Sequence, residues 1–200
     1  MRIVDLTRPI RTGPPPYPGD PPIVVHKWAT IREDGYYMNL LIIGEHTGTH
    51  LDAPAHFIEG GETVDRVPVD RLVAPAVAVD ARGVEEIGLD TVRRGLERAG
   101  EGYWLVIVAG YNGGRYPPLT VEAAGAIVDS GIAGVALDTP SPDYPPYPVH
   151  RLLLSNGVLI VENLASAKAL LEAGRFTLIV APMKVEGGSG APARVLALLE

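Results

Sequence analysis

Apolar positions in the first half of the chain fall mainly into strand-like runs. Residues 23–30 and 37–45 are two of them. In the second, Met38, Leu40 and Ile42 share one face and Asn39, Leu41 and Ile43 the other. Apolar residues on both faces predict a buried strand. Residues 73–82 continue the alternation through Val77 and Val79, and residues 103–109 form an unbroken apolar run of the kind covered on both sides. Residues 132–137, 158–164 and 176–182 complete the strands. Helical spacing lies between them. One helix is expected over residues 90–100, capped by Asp90, with Val92 and Leu96 on one face and Gly100 as the stop. A second runs over 120–131, from Thr120 as N-cap to Gly131. Shorter helices are expected over 151–155, closed by Asn156 and Gly157, and over 166–173, stopped by Gly174; a terminal helix is expected over 192–199. Strands in the first half, then strands alternating with helices, imply an α/β or α+β fold in layers. The 200 residues suit a single domain spanning the whole chain, 1–200.

Glycine (23) and proline (19) are abundant, so stiff loops are expected. The run PPPYPGD, residues 14–20, cannot be helix or central strand. It reads equally as a surface linker and as a lid that turns Tyr17 towards a ligand. A second proline-rich loop, DTPSPDYPPYPV, occupies residues 138–149. The net charge of −7 argues against nucleic-acid and membrane-surface partners, which call for a basic patch. The absence of cysteine excludes disulfides, thiolate metal sites and a thiol nucleophile, and fits a cytoplasmic protein. The first twenty residues lack the apolar core of a signal peptide, and no apolar run has the length of a membrane span.

Candidate chemistry concentrates in one place. Of five histidines, three lie in eleven residues: His46, His50 and His56, with Asp52 between the last two. Imidazoles and a carboxylate at this density suit a divalent cation of the zinc or manganese type. Two imidazoles on one ion bring their nitrogens to about 3.3 Å, whereas residues 46 and 50 of an extended chain would lie about 13 Å apart. The backbone must therefore coil or turn between them, and Gly48 permits a tight turn. Asp52 follows His50 by two and points the same way in an extended segment. Pro54 opens a loop that delivers His56 from a different piece of backbone. Unrelated polar loop residues would account for one HxxxH, but not readily for HxxxHxD followed by a third histidine. His26, beside Lys27 and Trp28, reads as structural or exposed; Trp28 reads as either core or ligand wall.

Glu162 is a carboxylate inside an apolar strand, costly unless paired or metal-bound. An arginine partner would satisfy it. Alternatively His150, twelve residues upstream across a helix-sized segment, could join it on the cation of His46, His50 and Asp52. Five ligands exceed one tetrahedral zinc. They suit two ions bridged by Asp52 at about 3.5–4 Å separation, or one ion of higher coordination such as manganese.

The segment HTGTHLDAPAHF, residues 46–57, resembles the signature of the cyclase-like metal hydrolases, which include bacterial kynurenine formamidase and isatin hydrolase. The resemblance extends to PYPGDP (16–21), LDTPSPDYPPYPVHRLLL (137–154), IVENL (160–164) and GGSGAPAR (187–194), and so covers nearly the whole chain. It implies that His46, His50 and Asp52 are metal ligands, that His150 and Glu162 complete a binuclear site, and that His56 is catalytic. It also implies a swivelling β/β/α fold, a layered mixed sheet with flanking helices, and a homodimer or tetramer with active sites near the subunit interface. The metal expected is zinc, as in formamidases, or manganese, as in isatin hydrolases.

The expected reaction is hydrolysis by metal-activated water, with His56 as general base and then acid. No GxSxG is present to suggest an acyl-enzyme. An aryl formamide of the N-formylkynurenine type is the leading small-molecule substrate. A cyclic amide or lactone such as isatin is the enzymic alternative, and a structural metal in a non-catalytic protein the third reading. Trp28, Tyr17 and the tyrosines of residues 138–149 are candidate walls for the aromatic part. With a negative net charge, a local arginine or backbone donors must hold a substrate carboxylate.

Overall fold

The computed structural model describes residues 1–13 and 17–199. The residues 14–16 of the proline-rich arm lie outside the described residues.

The apolar run expected at 103–109 forms the centre of the molecule. This strand, β6 (Trp104–Val108), lies between β5 (Val73–Asp80) and β7 (Gly134–Leu137), and β8 (Leu159–Glu162) follows; all four are parallel. β6 is buried throughout, with Trp104, Val106 and Val108 on one side and Leu105 and Ile107 on the other. Four further strands complete the sheet: β1 (Arg2–Asp5), β4 (His50–Asp52) and β9 (Phe176–Pro182) run opposite to this block, and β10 (Gly190–Leu199) runs with it. β4 pairs antiparallel with β8 and β10, and β9 with β5 and β10. Because β10 bonds to both β4 and β9, the sheet closes on itself as a ring of seven strands, and β1 adds to the free stretch of β10. Trp104, Leu159, Leu178 and Val195 fill the interior. The mixed sheet and flanking helices agree with the sequence; closure was not foreseen.

Three helices cover the outside of the parallel block: α3 (Leu89–Leu96), α4 (Val121–Asp129) and α5 (Pro148–Ser155). α4 packs against both α3 and α5. Thr120 caps α4 as expected, its hydroxyl accepting the Ala123 N–H at 3.2 Å. α3 starts a residue before Asp90, with Gly88 at the cap, and ends before Gly100. Two single-turn helices, α1 (Ile31–Asp34) and α2 (Val69–Leu72), complete the set.

Three expectations are corrected. Residues 192–199 are not a helix but most of β10. Ala191, Ala193, Val195 and Ala197 are buried at alternate positions, a period-two pattern that outweighs the helix propensity of alanine and leucine once two strand edges are available. Residues 166–173 contain only a 3-10 turn, Ala167–Leu170. The strand expected to be buried over 37–45 is β3 (Met38–Ile42), exposed at every position. It pairs only with β2 (Val24–Ala29), so the two form a separate hairpin-like ribbon rather than part of the ring.

Candidate metal centre

The site lies where the parallel strands end. β8 ends at Glu162, and β4 lies antiparallel beside it with His50 opposite Glu162. Asp52, two residues on, shares the face of His50. Before β4 the chain turns at Gly48, with φ +67°, and His50 Nδ1 lies 2.9 Å from the Gly48 carbonyl, leaving Nε2 towards the cluster. The turn needed between His46 and His50 is therefore a loop rather than a helix. His46 is set by Ser189 of the glycine-rich turn, whose Oγ lies 3.0 Å from Nε2. That serine is held by Glu45, which accepts its N–H at 2.9 Å and its hydroxyl at 2.7 Å. Gly190 next to it has no room for a side chain, since a Cβ would fall 2.5 Å from the Leu51 carbonyl and 2.6 Å from the His46 ring.

α5 brings the last imidazole. His150 Nδ1 lies 2.5 Å from Asp143 Oδ1, while Asp143 Oδ2 accepts the Val149 N–H at 2.6 Å. One carboxylate thus caps α5 and fixes the histidine, and Nε2 is left 3.2 Å from Glu162 Oε1. The arginine considered as a partner of Glu162 is not there; His50 Nε2 lies 3.3 Å from its other oxygen.

Two groups of possible metal donors result: His46, His50 and Asp52, and Asp52, His150 and Glu162, with donor atoms of each group within 4.8 Å of one another. Asp52 belongs to both. It is 1% exposed, and Oδ2 has no hydrogen-bond partner among the described residues. A buried carboxylate oxygen without a donor is costly, and a cation between the two groups would satisfy it. Charge agrees. Burial opposes the charged form of His150, but Asp143 and Glu162 outweigh it and push the imidazole up to about 10. Burial likewise opposes ionisation of Asp52, yet His50 and His46 hold it well below the usual carboxylate range. Asp52 is thus held ionised between the two groups, and the residues fit one or two divalent ions.

His56 ends the 3-10 turn Pro54–His56 and stacks on His46, with centroids 3.8 Å apart. Burial, aided by His46 and His150, pulls it down to about 4. It is therefore neutral at pH 7. These side chains line a cavity of about 270 Å³ roofed by Tyr17 and Tyr147, whose hydroxyls lie 2.9 Å apart. Tyr17 therefore favours the lid reading over the linker. Trp28 is 61% exposed on β2 and does not line the cavity, and His26 is exposed beside it. The structure thus gathers all six residues singled out from the sequence. Asp143, Ser189 and Glu45 were missed: each is an ordinary polar loop residue until the fold brings Asp143 and Ser189 against histidines and Glu45 against Ser189.

The family model described as putative cyclase matches residues 4–144. The chain belongs to that family. The chain is 31% identical to a kynurenine formamidase of Salinibacter ruber, over 98% of its own length and 97% of the relative's. It is 29% identical to an isatin hydrolase of Roseibium aggregatum, over 100% and 92%. A solved structure described as a potential metal-dependent hydrolase with cyclase activity superposes with a TM-score of 0.84 at 28% identity, covering 100% of this chain and 98% of the other.

Proposed function

We propose that the protein is a metal-dependent hydrolase that cleaves the amide bond of an aryl formamide, with N-formylkynurenine as the model substrate. One observation carries this reading: two donor groups share a buried Asp52 whose Oδ2 lacks a partner. His46, His50 and Asp52 would hold one ion, and Asp52, His150 and Glu162 a second, with zinc proposed at both. The kinship to kynurenine formamidase supports the formamide. The kinship to isatin hydrolase supports a second reading, ring opening of a cyclic amide.

The cation, when bound, activates water and polarises the substrate carbonyl. The protein's own groups do the rest. The cavity of about 270 Å³ has room for a formyl group beside the cluster. His56, neutral at pH 7, takes a proton as the water oxygen bonds to the formyl carbon. As the carbon–nitrogen bond breaks, the same imidazole returns that proton to the leaving nitrogen, giving formate and an aryl amine. Burial that weakens its hold on a proton makes it a strong acid in this second step. Tyr17 and Tyr147 roof the aromatic part.

The protein is also proposed to act as a homo-oligomer. β2 and β3 expose Trp28, Leu41 and Ile42, and a two-stranded ribbon is marginal in water without cover. No helix among the described residues is long and apolar enough to cross a membrane.

Elemental analysis with steady-state kinetics on N-formylkynurenine and isatin tests the function. Bound divalent metal and a kcat/KM for the formamide within the usual enzyme range, about 10⁴–10⁸ M⁻¹s⁻¹, are expected. Faster turnover of isatin than of the formamide would move the assignment to the second reading, and metal-free protein would remove both.

A further inference from the structure

The hollow does not end above the histidines. A second cavity of about 550 Å³ adjoins the first, and both are lined by Tyr17, Pro18 and Pro140. Its wall is aromatic. Tyr116 and Tyr144 stack with centroids 4.3 Å apart and planes 14° from parallel, and Tyr111 meets Tyr116 edge-on at 6.0 Å. The wall is also rigid. The Tyr144 hydroxyl accepts the Tyr116 N–H and donates to the Tyr116 carbonyl, both at 3.0 Å, and the Tyr116 hydroxyl donates to the Asp143 carbonyl at 2.8 Å.

Arg115 stands in this wall, exposed to the cavity and solvent. Among the described residues it is the one lysine or arginine lining either cavity. The arginine–carboxylate pairs among the described residues are Arg82–Asp80 and Arg194–Asp5, so Arg115 is balanced by neither an ion pair nor an acidic residue of its own cavity. The inner cavity is the opposite: among the described residues its lining includes the carboxylates Asp20 and Glu162 and no lysine or arginine. A ligand reaching outward from the metal site therefore meets, at the far end, an arginine unpaired by any carboxylate of that cavity, in a chain whose net charge is −7.

We propose that the outer cavity is a recognition subsite for the far end of the substrate, and that this end is an amino-acid side chain. The aryl ring passes beneath Tyr17, its tail lies along the Tyr116 and Tyr144 rings, and the tail carboxylate takes the two-pronged guanidinium of Arg115. An ammonium on the same tail lies over a tyrosine face, a contact such rings favour. The inference rests on the aryl-formamide reading, and it makes the enzyme selective for a substituted aryl formamide over the bare one.

Two measurements separate the two claims. The first compares kcat/KM for N-formylkynurenine with kcat/KM for formanilide, which has the same formamide and no tail. Arg115→Gln should lower that ratio about tenfold, the size of one hydrogen bond to a charged group, through KM rather than kcat. Arg115→Lys should fall between, keeping the charge without the fork. The second is calorimetric binding of L-kynurenine, which carries the tail and needs no turnover; Kd should rise about tenfold in Arg115→Gln. An unchanged ratio or an unchanged Kd overturns the subsite. Wild type that binds L-kynurenine through Arg115 yet cleaves neither formamide overturns the formamidase reading and leaves the subsite standing.

Discussion

β8 and β3 look alike as strings of residues and end in opposite surroundings. Both are short apolar strands with one polar residue, Glu162 in the first and Asn39 in the second. β8 has a strand on each edge, the ring interior on one face and α5 on the other, so even Glu162 is only 6% exposed. β3 has one neighbour, and Ile42 is 57% exposed. Apolar content does not itself bury a strand; neighbours on both edges and both faces do. The difference has a functional counterpart. Burial makes the polar groups near β8 depend on one another and on a cation, because an unpartnered charge there is expensive. The ribbon carries no such dependence and is free to meet another molecule.

Substitutions in the first region should therefore be severe, and those in the second mild. The largest effect is expected from Asp52→Ala, which removes the residue common to both donor groups. Both ions should be lost and activity should fall to background. Elemental analysis that finds wild-type metal content in this variant would show that the cluster does not hold the metal. His56→Ala should keep the metal and lose about 10²–10⁴-fold in kcat. A metal-free His56→Ala protein would instead make His56 a ligand. Asp143→Asn should leave the fold intact and weaken metal binding about 10–100-fold, the usual cost of disturbing the partner that orients a histidine ligand; chelator competition measures it, and an unchanged affinity would confine Asp143 to capping α5. The smallest effect on the site is expected from Leu40→Glu combined with Ile42→Glu on the ribbon. Light scattering should show the oligomer falling towards the monomer mass of 21.2 kDa, with the melting temperature of the ring changed by a few degrees. Wild type that is already monomeric at micromolar concentration would remove the proposed oligomer.

The site was more legible than the ribbon or the C-terminus for a physical reason. Five donors for a divalent ion need particular residue types, and in a chain with five histidines and no cysteine few other combinations exist. Their types and spacing therefore stand out before any fold is known. The residues that orient them do not. Serine at 189, aspartate at 143 and glutamate at 45 are common in loops, and their roles depend on distances across more than a hundred residues for Ser189 and Glu45 and across the start of α5 for Asp143. For a substrate carboxylate the sequence called only for a local arginine or backbone donors, without naming a position.

From residue types and spacing alone came the mixed strand and helix composition, the buried central strand at Trp104–Val108, the cap at Thr120 and the six residues His46, His50, Asp52, His56, His150 and Glu162. These are local properties, encoded within a few positions of each residue. Only the tertiary structure decided that residues 192–199 are a strand, that the sheet closes, that β3 is exposed, and which loops bring Asp143 and Ser189 to the histidines. Each of these depends on what lies beside a segment rather than within it. Alanine- and leucine-rich chain is compatible with helix or strand until β9 on one edge and β1 on the other satisfy its backbone, and then pairing on both sides settles the choice.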